Sequence, residues 1–221
     1  MPIESTSGLI LRTRPLTETS LIVHWLTPNL GRIATVARGA RRPKSPFAGK
    51  LDLFYAADFS FSRSRRSDLH TLREVKLRET HGAIRADIAK LRQAAYAAGF
   101  LEQATETDTP LPGISELMHR FLNLLCLQPP SPQTLFALEL KLLCELGLKP
   151  DVENSRLTPG GQMIVRMLME NDRPGNARLK LSAAQTSELR DFLHGFLIFH
   201  LGRLPRGRAA ALHEPADLAA H

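Results

Sequence analysis

The sequence is poor in the residues that build covalent and metal-based scaffolds. Its 221 residues include two cysteines, Cys126 and Cys144, so neither a disulfide framework nor a zinc knuckle can be assembled from thiols. Both lie in apolar stretches and are expected to be buried small hydrophobes. No apolar run reaches the length of about 20 residues that a membrane span needs. No basic segment followed by an apolar run opens the chain, so no secretory signal is expected.

Recognisable catalytic motifs are also missing. No GxGxxG or HExxH pattern is present. Gly49-Lys50 is nearest to a phosphate-binding loop, but Lys44 stands where that loop needs glycine and Leu51 where it needs Ser or Thr. Asp191 and His194 lie on a predicted helix lined with Phe and Leu, which favours a surface ion pair over a catalytic dyad. We therefore predict a protein that is not an enzyme, and a nuclease with a metal site built from distant carboxylates stays as an alternative.

The charge is concentrated at one end of the chain. The 29 Lys and Arg exceed the 22 Asp and Glu by seven. Residues 1–80 hold 14 basic and 7 acidic side chains, whereas residues 81–221 hold 15 of each. This asymmetry predicts two modules, one of them facing a polyanion. Nucleic acid is the first candidate and an anionic membrane surface the second, and a basic surface that only aids solubility is the simplest alternative.

The first module has the pattern of a small β-barrel. The predicted strands are Ser7–Thr13, Thr19–Leu26, Arg32–Ala37, Leu51–Phe61 (one long or two short) and Leu69–Leu77. The turn Thr27–Gly31 ends in a glycine that can take a positive φ, and Arg63–Asp68 is a second, polar turn. About five short strands in roughly 75 residues match an OB-fold, a five-stranded barrel that binds oligonucleotides.

After Gly82 the apolar spacing becomes helical. A helix over Ala83–Thr105 is predicted from the stripe Ile84, Ile88, Leu91 and Ala95. Three further stripes predict three more helices: Leu117, Phe121 and Leu124; Leu135, Leu138, Leu142 and Leu146; and Leu189, Phe192, Phe196 and Phe199. Ser182 and Gln185 form a capping box before the last stripe.

Two stretches are harder to interpret. Residues 151–180 have no clear pattern beyond the apolar segment Met163–Met169, and Arg206–His221 is expected to be a short helix and a tail. The chain as a whole is predicted to be α+β. An N-terminal five-stranded OB-fold barrel occupies residues 1–80, and an all-α helical domain occupies residues 81–221.

The most unusual stretch is strongly basic. Arg38–Ser45 reads Arg-Gly-Ala-Arg-Arg-Pro-Lys-Ser, and Lys50 follows closely. Like charges this close repel one another unless an anion is near, and the prolines stiffen the loop, which lowers the entropy lost on binding. A second cluster, Arg63–Arg66, falls on a predicted turn of the same barrel. Because most barrel aromatics alternate as core residues, we expect phosphate contacts to dominate and binding to depend steeply on salt.

These considerations define a set of candidate nucleic-acid-binding residues. They are Arg14, Arg32, Arg38, Arg41, Arg42, Lys44, Lys50, Arg63, Arg65 and Arg66. An OB-fold protein that binds single-stranded RNA stays as an alternative, because phosphate contacts do not distinguish the two sugars. No catalytic residue and no metal ligand is predicted.

Several segments together resemble the RecO family of bacterial DNA repair proteins. They are Gly8–Leu11, Glu18–Val23, Leu26–Pro28, Gly31–Ile33, Val36–Arg42, Lys44-Ser45, Leu51, Leu138–Gly147 and His200–Gly202. Their order and spacing hold over nearly the whole chain. The block Ala37–Arg42 in its strand context is the most specific of them.

The resemblance implies a function as well as a fold. Such proteins bind single- and double-stranded DNA, anneal complementary strands and, with RecR, help RecA displace single-strand-binding protein. The resemblance also implies that no cofactor turnover is involved. Because no secretory signal and no membrane span is predicted, we expect a cytoplasmic protein, associated with nucleoid DNA. Many members carry a four-cysteine zinc module after the segment that here reads Leu-Gly-Leu-Lys-Pro. Asp151–Gln162 contains no cysteine, so this chain resembles a zinc-free branch, for which no cofactor is expected.

The helical domain is expected to be the protein-binding half. The resemblance implies that the acidic, Phe-ended tail of single-strand-binding protein docks there, and such a tail needs an apolar pocket beside a cation. The candidate tail-binding residues are Lys141, Leu142, Arg178, Lys180, Arg190 and Phe196. For any single one of them, ordinary helix packing with solvated charges is the alternative.

Overall fold

Five strands form the N-terminal part of the protein. The computed structural model describes residues 3–170 and 180–212. The strands are β1 (Ile3–Pro15), β2 (Leu21–Thr27), β3 (Gly31–Ala37), β4 (Ala56–Ser62) and β5 (Leu69–Glu79). They close into a barrel in the order β1-β2-β3-β5-β4, in which the only parallel pair is β3 with β5. This order confirms the predicted OB-fold barrel.

The longest strand, β1, forms two different pairings. Its first half, from Ile3 to Leu9, pairs with β4, and its second half, from Leu9 to Pro15, pairs with β2. A register shift between Ile10 and Arg12 interrupts the second pairing. The predicted strand begins four residues too late, because the residues before Ser7 are mostly polar and only their pairing with β4 orders them.

The fourth predicted strand is correct only in its second half. Residues 51–55 form turns, and β4 begins at Ala56. Phe54 has a φ of 64°, and Asp52 Oδ1 accepts a hydrogen bond from the backbone N–H of Leu53 at 2.8 Å. Phe54 is nevertheless buried. The apolar run therefore reflects burial of a turn, which periodicity alone cannot distinguish from a strand.

Aromatic rings fill the barrel, as their alternation predicts. Trp25 stacks on Phe59 with 4.0 Å between ring centroids, and Trp25 Nε1 donates a hydrogen bond to Thr35 Oγ1 at 2.8 Å. Phe61 lies 5.9 Å from Phe59. Phe47, from the long connection between β3 and β4, is also buried in this core. That connection is thereby tied to the interior of the barrel.

A later segment of the chain returns to the barrel. The protein forms two compact units, and the barrel unit contains Glu106–His119 in addition to the chain up to Gly82. The backbone N–H of Asp108 donates to the carbonyl of Arg32 at 3.0 Å. Gly31 has a φ of 66°, as its turn predicts, and a Cβ there would lie 1.8 Å from the carbonyl oxygen of Thr109. The returning segment therefore packs against a site that only glycine fits.

Seven helices follow the strands in the described residues. They are α1 (Gly82–Arg85), α2 (Ile88–Ala104), α3 (Pro112–Leu127), α4 (Pro132–Glu145), α5 (Pro159–Glu170), α6 (Ala183–Leu201) and α7 (Arg208–Ala211). The helical unit consists of Ala83–Thr105 and the chain from Arg120 onward. Asp87 interrupts the predicted first helix, since its carboxylate accepts hydrogen bonds from the first turn of α2. The predicted capping box of Ser182 and Gln185 is present at α6.

Two helices bury a different face from the predicted one. In α2, Ile88 is 63% exposed and Ala95 is exposed, and the buried residues include Tyr96 and Phe100. In α6 the buried stripe is Leu189, Leu193 and Leu197. The buried face of α2 differs from the predicted one because Asp87 caps a new helix rather than continuing α1. The buried face of α6 differs because this helix packs through its leucines, and its phenylalanines lie beside them.

The phenylalanines of α6 and both cysteines are more exposed than the sequence predicts. Phe192 and Phe196 are half-buried, and Phe199 is 83% exposed. Cys126 and Cys144 are free thiols that are half-buried rather than buried. Burial raises the pKa of the Cys144 thiol. No helix among the described residues is both long and apolar enough to cross a membrane.

A buried ionic network joins three helices of the helical unit. Glu139 of α4 is fully buried and accepts two hydrogen bonds from Arg208 of α7, at 2.7 and 3.0 Å. Tyr96 of α2 donates to the same carboxylate at 2.5 Å. Burial raises the pKa of Tyr96 well above its usual value, so the phenol keeps the proton it donates. Paired charges with satisfied hydrogen bonds are the form in which ions are tolerated in a core.

Replacing Gly31 with alanine is expected to destabilise the barrel by more than about 4 kcal/mol, because the new methyl group overlaps the backbone of Thr109. Gly49 is the matched control, since its φ of 70° is nearly the same but no atom lies within 4 Å of its Cβ position. Gly49→Ala should cost only about 1–2 kcal/mol. Chemical denaturation of both variants measures the difference, and equal losses would contradict the packing argument.

Replacing Glu139 with alanine is expected to destabilise the protein by about 3–5 kcal/mol, since Arg208 is left charged in the core. Glu153→Ala is the control. Glu153 also pairs with an arginine, Arg166, at 3.4 Å, but its side chain is 81% exposed. Its removal should cost about 0–1 kcal/mol. Urea titrations that give similar losses for both variants would refute the assigned difference.

Candidate nucleic-acid interface

The residues after β3 form a compact, strongly basic loop. We call residues 38–50 the basic loop. Backbone hydrogen bonds of 3.0–3.1 Å close successive turns along it: Arg42 N to Gly39 O, Ser45 N to Arg42 O, Ala48 N to Ser45 O, and Lys50 N to Phe47 O. Gly49 supplies the positive φ at the third position of the last of these turns. Gly39 does the same in the turn that precedes them, in which Ala40 N donates to Ala37 O at 3.4 Å. With Phe47 in the barrel core, the loop is held in one shape before any ligand arrives.

The first part of the basic loop lies against the connection between β1 and β2. Arg41 N donates to Thr19 O at 2.9 Å, and Gly39 N donates to Ser20 Oγ at 3.4 Å. A cavity of about 400 Å³ opens between the two loops. It is lined by Leu16, Thr17, Thr19, Ser20, Val36, Arg38, Gly39 and Arg42. Two guanidinium groups, hydroxyls and aliphatic side chains suit a phosphate together with its attached sugar.

Five of the ten predicted basic residues cluster at this end of the barrel. They are Arg14, Arg38, Arg41, Arg42 and Lys44, and all five are exposed. The pairing of Pro15 with Leu21, and of Leu21 with Ala37, brings the end of β1 next to the start of the basic loop. None of the five is ion-paired with a residue in the described ranges. Uncompensated like charges held close together favour binding of a polyanion.

The second predicted cluster divides into a structural and an exposed part. Arg63 donates to both carboxylate oxygens of Glu4, at 2.8 and 3.1 Å, and lies 3.5 Å from Asp108. The hydrogen bond from Arg63 lowers the pKa of Glu4. Arg63 therefore ties the start of this turn to β1, whereas Arg65 and Arg66 are exposed.

A buried histidine completes the base of that turn. His70 stacks on Phe61 with 5.3 Å between ring centroids, and its Nδ1 accepts a hydrogen bond from Ser64 N at 3.4 Å. Burial lowers the pKa of His70, so the ring is neutral at physiological pH. The turn thus rests on neutral or neutralised groups and presents Arg65 and Arg66, with the exposed carboxylate of Asp68 in the same turn.

The two remaining predicted residues lie elsewhere. Arg32 is half-buried on β3, where its backbone bonds the returning segment. Lys50 lies at the far end of the basic loop and lines a groove over β1, β4 and β5. That groove also contains Arg73, Lys76 and Arg78, which the sequence pattern did not single out. Their alternation with Leu72, Val75 and Leu77 was the signal of an outward-facing basic strand.

The candidate tail-binding residues of the helical unit are only partly accessible. Leu142 is 1% exposed, Lys141 is half-buried and Lys180 is exposed. Arg178 lies outside the described residues. Arg190 bonds Ser187 Oγ at 2.6 Å, and Phe196 lies 4.3 Å from His200 between ring centroids. The exposed Phe199, which sequence reasoning assigned to the core, adds an apolar group to the same helix.

Residues 151–162, where the family resemblance implies a zinc module in many members, offer no suitable ligands in this chain. Zinc in structural sites is bound by cysteine and histidine, and residues 151–162 contain neither. The carboxylate of Asp151 accepts hydrogen bonds from Asn154 N at 3.3 Å and from Asn154 Nδ2 at 2.7 Å. Val152 and Leu157 anchor this turn in the core. Hydrogen bonds and two apolar anchors therefore organise the segment, and its donor set does not fit a zinc site.

The protein combines a helical unit with an OB-fold barrel that carries uncompensated cations around one end. This combination defines a class of proteins suited to polyanionic ligands. Family models specify the class further. The model described as Recombination protein O N terminal matches residues 1–81, and the one described as Recombination protein O C terminal matches residues 85–158. The chain belongs to the RecO family of DNA repair proteins.

Individual relatives agree with this assignment. The DNA repair protein RecO of Rhodopirellula baltica is 31% identical, over 78% of this chain and 68% of its own length. The one of Anaeromyxobacter sp. strain Fw109-5 is 28% identical, over 89% of this chain and 91% of its own length. The one of Bacillus pumilus is 32% identical, over 67% of this chain and 57% of its own length.

Proposed function

We propose that the protein is a DNA-binding recombination mediator that is not an enzyme. It binds single- and double-stranded DNA, anneals complementary strands and, with RecR, assists RecA in loading onto strands coated by single-strand-binding protein. It acts on nucleoid DNA in the cytoplasm. The observation that carries the proposal is the cluster of five exposed cations at one end of the OB-fold barrel, two of which, Arg38 and Arg42, line the 400 Å³ cavity.

The chemistry of this cluster supports binding without sequence preference. Phosphate contacts position a protein on nucleic acid, whereas sequence is read at base edges. Trp25, Phe59 and Phe61 are each at most 3% exposed, so these rings are not available to stack on bases. Affinity should come mainly from the release of counterions as arginine and lysine neutralise phosphates.

Replacing Arg41, Arg42 and Lys44 together with alanine should flatten the salt dependence of binding to single-stranded DNA. Each lost phosphate contact lowers the slope of log affinity against log salt by about 0.7, so the triple variant should lose about 2. Fluorescence anisotropy titrations at several salt concentrations measure this slope. An unchanged slope would remove the basic loop from the binding site.

A matched control separates local contacts from net charge. Lys149, Arg156 and Arg203 are exposed cations of the helical unit, and their joint replacement with alanine removes the same charge. The slope of log affinity against log salt should then change by less than the value of about 0.7 that one lost phosphate contact gives. Competition between DNA and RNA strands of the same sequence tests the alternative of an RNA-binding OB-fold protein, which predicts a preference for RNA through its 2′-hydroxyls.

The helical unit is the proposed docking site for the tail of single-strand-binding protein. Leu142 is too deeply buried to contact a peptide, so its role in this proposal is to support the helix packing. Phe196 and the exposed Phe199 supply apolar surface on α6, and Lys180 and Arg190 are the cations before or within that helix. Arg190 lies nine residues before Phe199, about 13 Å along the helix, so the ring and the carboxylate of one terminal phenylalanine do not reach both. The proposal therefore rests on the apolar surface at the end of α6.

Phe199→Ala should weaken binding of an acidic peptide ending in phenylalanine by at least about tenfold, because exposed aromatic residues are frequent anchors of interfaces. Leu127→Ala is the matched control, since Leu127 is 82% exposed and Phe199 is 83% exposed in the same unit. Calorimetric titration measures both affinities. Equal affinities of the two variants would exclude this end of α6 from the docking site.

A further inference from the structure

A second face of the barrel carries positive charge away from the 400 Å³ cavity. A groove of about 640 Å³ runs over β1, β4 and β5 and is bordered by Pro46, Phe47 and Lys50 of the basic loop. Its charged lining consists of Lys50, Asp58, Arg73, Glu74, Lys76 and Arg78. The groove thus contains both positive and negative side chains, and the ion pairs among them decide the net charge that it offers to a ligand.

The pairing leaves an excess of cations. Arg78 and Asp58 form an ion pair at 2.8 Å and cancel each other. Arg73 donates to Ser62 Oγ at 2.9 Å, which orients the guanidinium without neutralising it. Lys50 and Lys76 form no ion pair with any residue that the structure describes. Three cations therefore face one unpaired carboxylate, that of Glu74, and the groove favours an anion.

The uncharged lining indicates which anion fits. The hydroxyls of Ser5, Ser7 and Ser60 border the groove and can donate to phosphate oxygens. Phe47 and Phe59 lie beneath them but are buried, so no ring projects to stack on a base. This lining matches an extended polyanion that is recognised through its backbone. Nucleic acid is such a polyanion, and it is also the ligand proposed for the cavity towards the other end of β1.

The groove and the cavity lie towards different ends of β1. Thr6 lines the groove and pairs with β4, whereas Arg14 pairs with Ile22 of β2. The two places approach each other at the basic loop, where Arg42 lines the cavity and Pro46 borders the groove. Two phosphate backbones bound at these places would repel each other, and the five cations of the basic loop, which borders both, offset that repulsion.

We propose that the groove over β1, β4 and β5 is a second phosphodiester-backbone site, which holds a second strand while the first occupies the cavity beside the basic loop. The inference rests on the proposed function and deepens it. One chain then presents two strands side by side, which is the arrangement that annealing requires. The basic loop takes part in both sites, with Arg38 and Arg42 at the first and Lys50 at the second.

Binding of two short oligothymidylates with different dyes tests the proposal, because such strands cannot pair with each other. Energy transfer between the dyes reports two strands on one protein, and sedimentation confirms that the complex holds a single chain. The intact protein should bind two strands. Arg73→Ala with Lys76→Ala should bind the first with less than twofold change and lose the second, and annealing of complementary strands should slow in parallel.

Controls keep the outcomes distinct. Lys149→Ala with Arg156→Ala removes the same charge and should retain both strands, and Arg73→Gln with Lys76→Gln repeats the test with most of the side-chain stems kept, should the alanine variant unfold. One strand per chain in the intact protein, or two on the variants of Arg73 and Lys76, overturns the groove assignment and leaves the proposed function intact. The assignment also fails if oligoglutamate binds the groove and a second strand does not. Failure to bind any strand refutes the proposed function itself.

Discussion

Burial of Phe47 in the barrel is the contact on which the candidate interface depends. The basic loop carries five cations in 13 residues, and their repulsion opposes any compact arrangement. Phe47 enters the core beside Trp25 and Phe59, and backbone hydrogen bonds close the turns on both sides of it. The apolar contact and the turns offset the repulsion before a ligand is present. The loop is therefore preorganised, which reduces the entropy lost on binding.

The cations of this protein fall into two kinds that composition cannot separate. Arg63, Arg78 and Arg208 are paired with Glu4, Asp58 and Glu139, and they hold strands or helices together. The arginines and the lysine around the cavity have no such partners among the described residues. The net charge of the first 80 residues indicated the module in which most of the unpaired cations lie. Only the pairing identifies which charges are available to a ligand.

Local patterns predicted much of the fold, and long-range contacts explain what they missed. Alternation placed β2 and β3 nearly correctly, and the Ser182–Gln185 cap and the positive φ of Gly31 follow from residue chemistry. The partners of Arg63 and Arg208 lie 59 and 69 residues away in sequence, where no local pattern reaches. The exposed end of α6 was missed for a related reason, because leucines and phenylalanines are equally apolar and only packing decides between their stripes.

The return of residues 106–119 to the barrel has a consequence for synthesis. The start of β3 is bonded to Asp108, and Gly31 packs against Thr109. On the ribosome these partners are made only after α2, so the barrel exposes an incomplete edge at β3 while the first helices are being translated. Unpaired edges invite wrong pairings. The point at which the chain crosses back therefore delays completion of the barrel until residues 106–119 have been made, although all five barrel strands come earlier in the sequence.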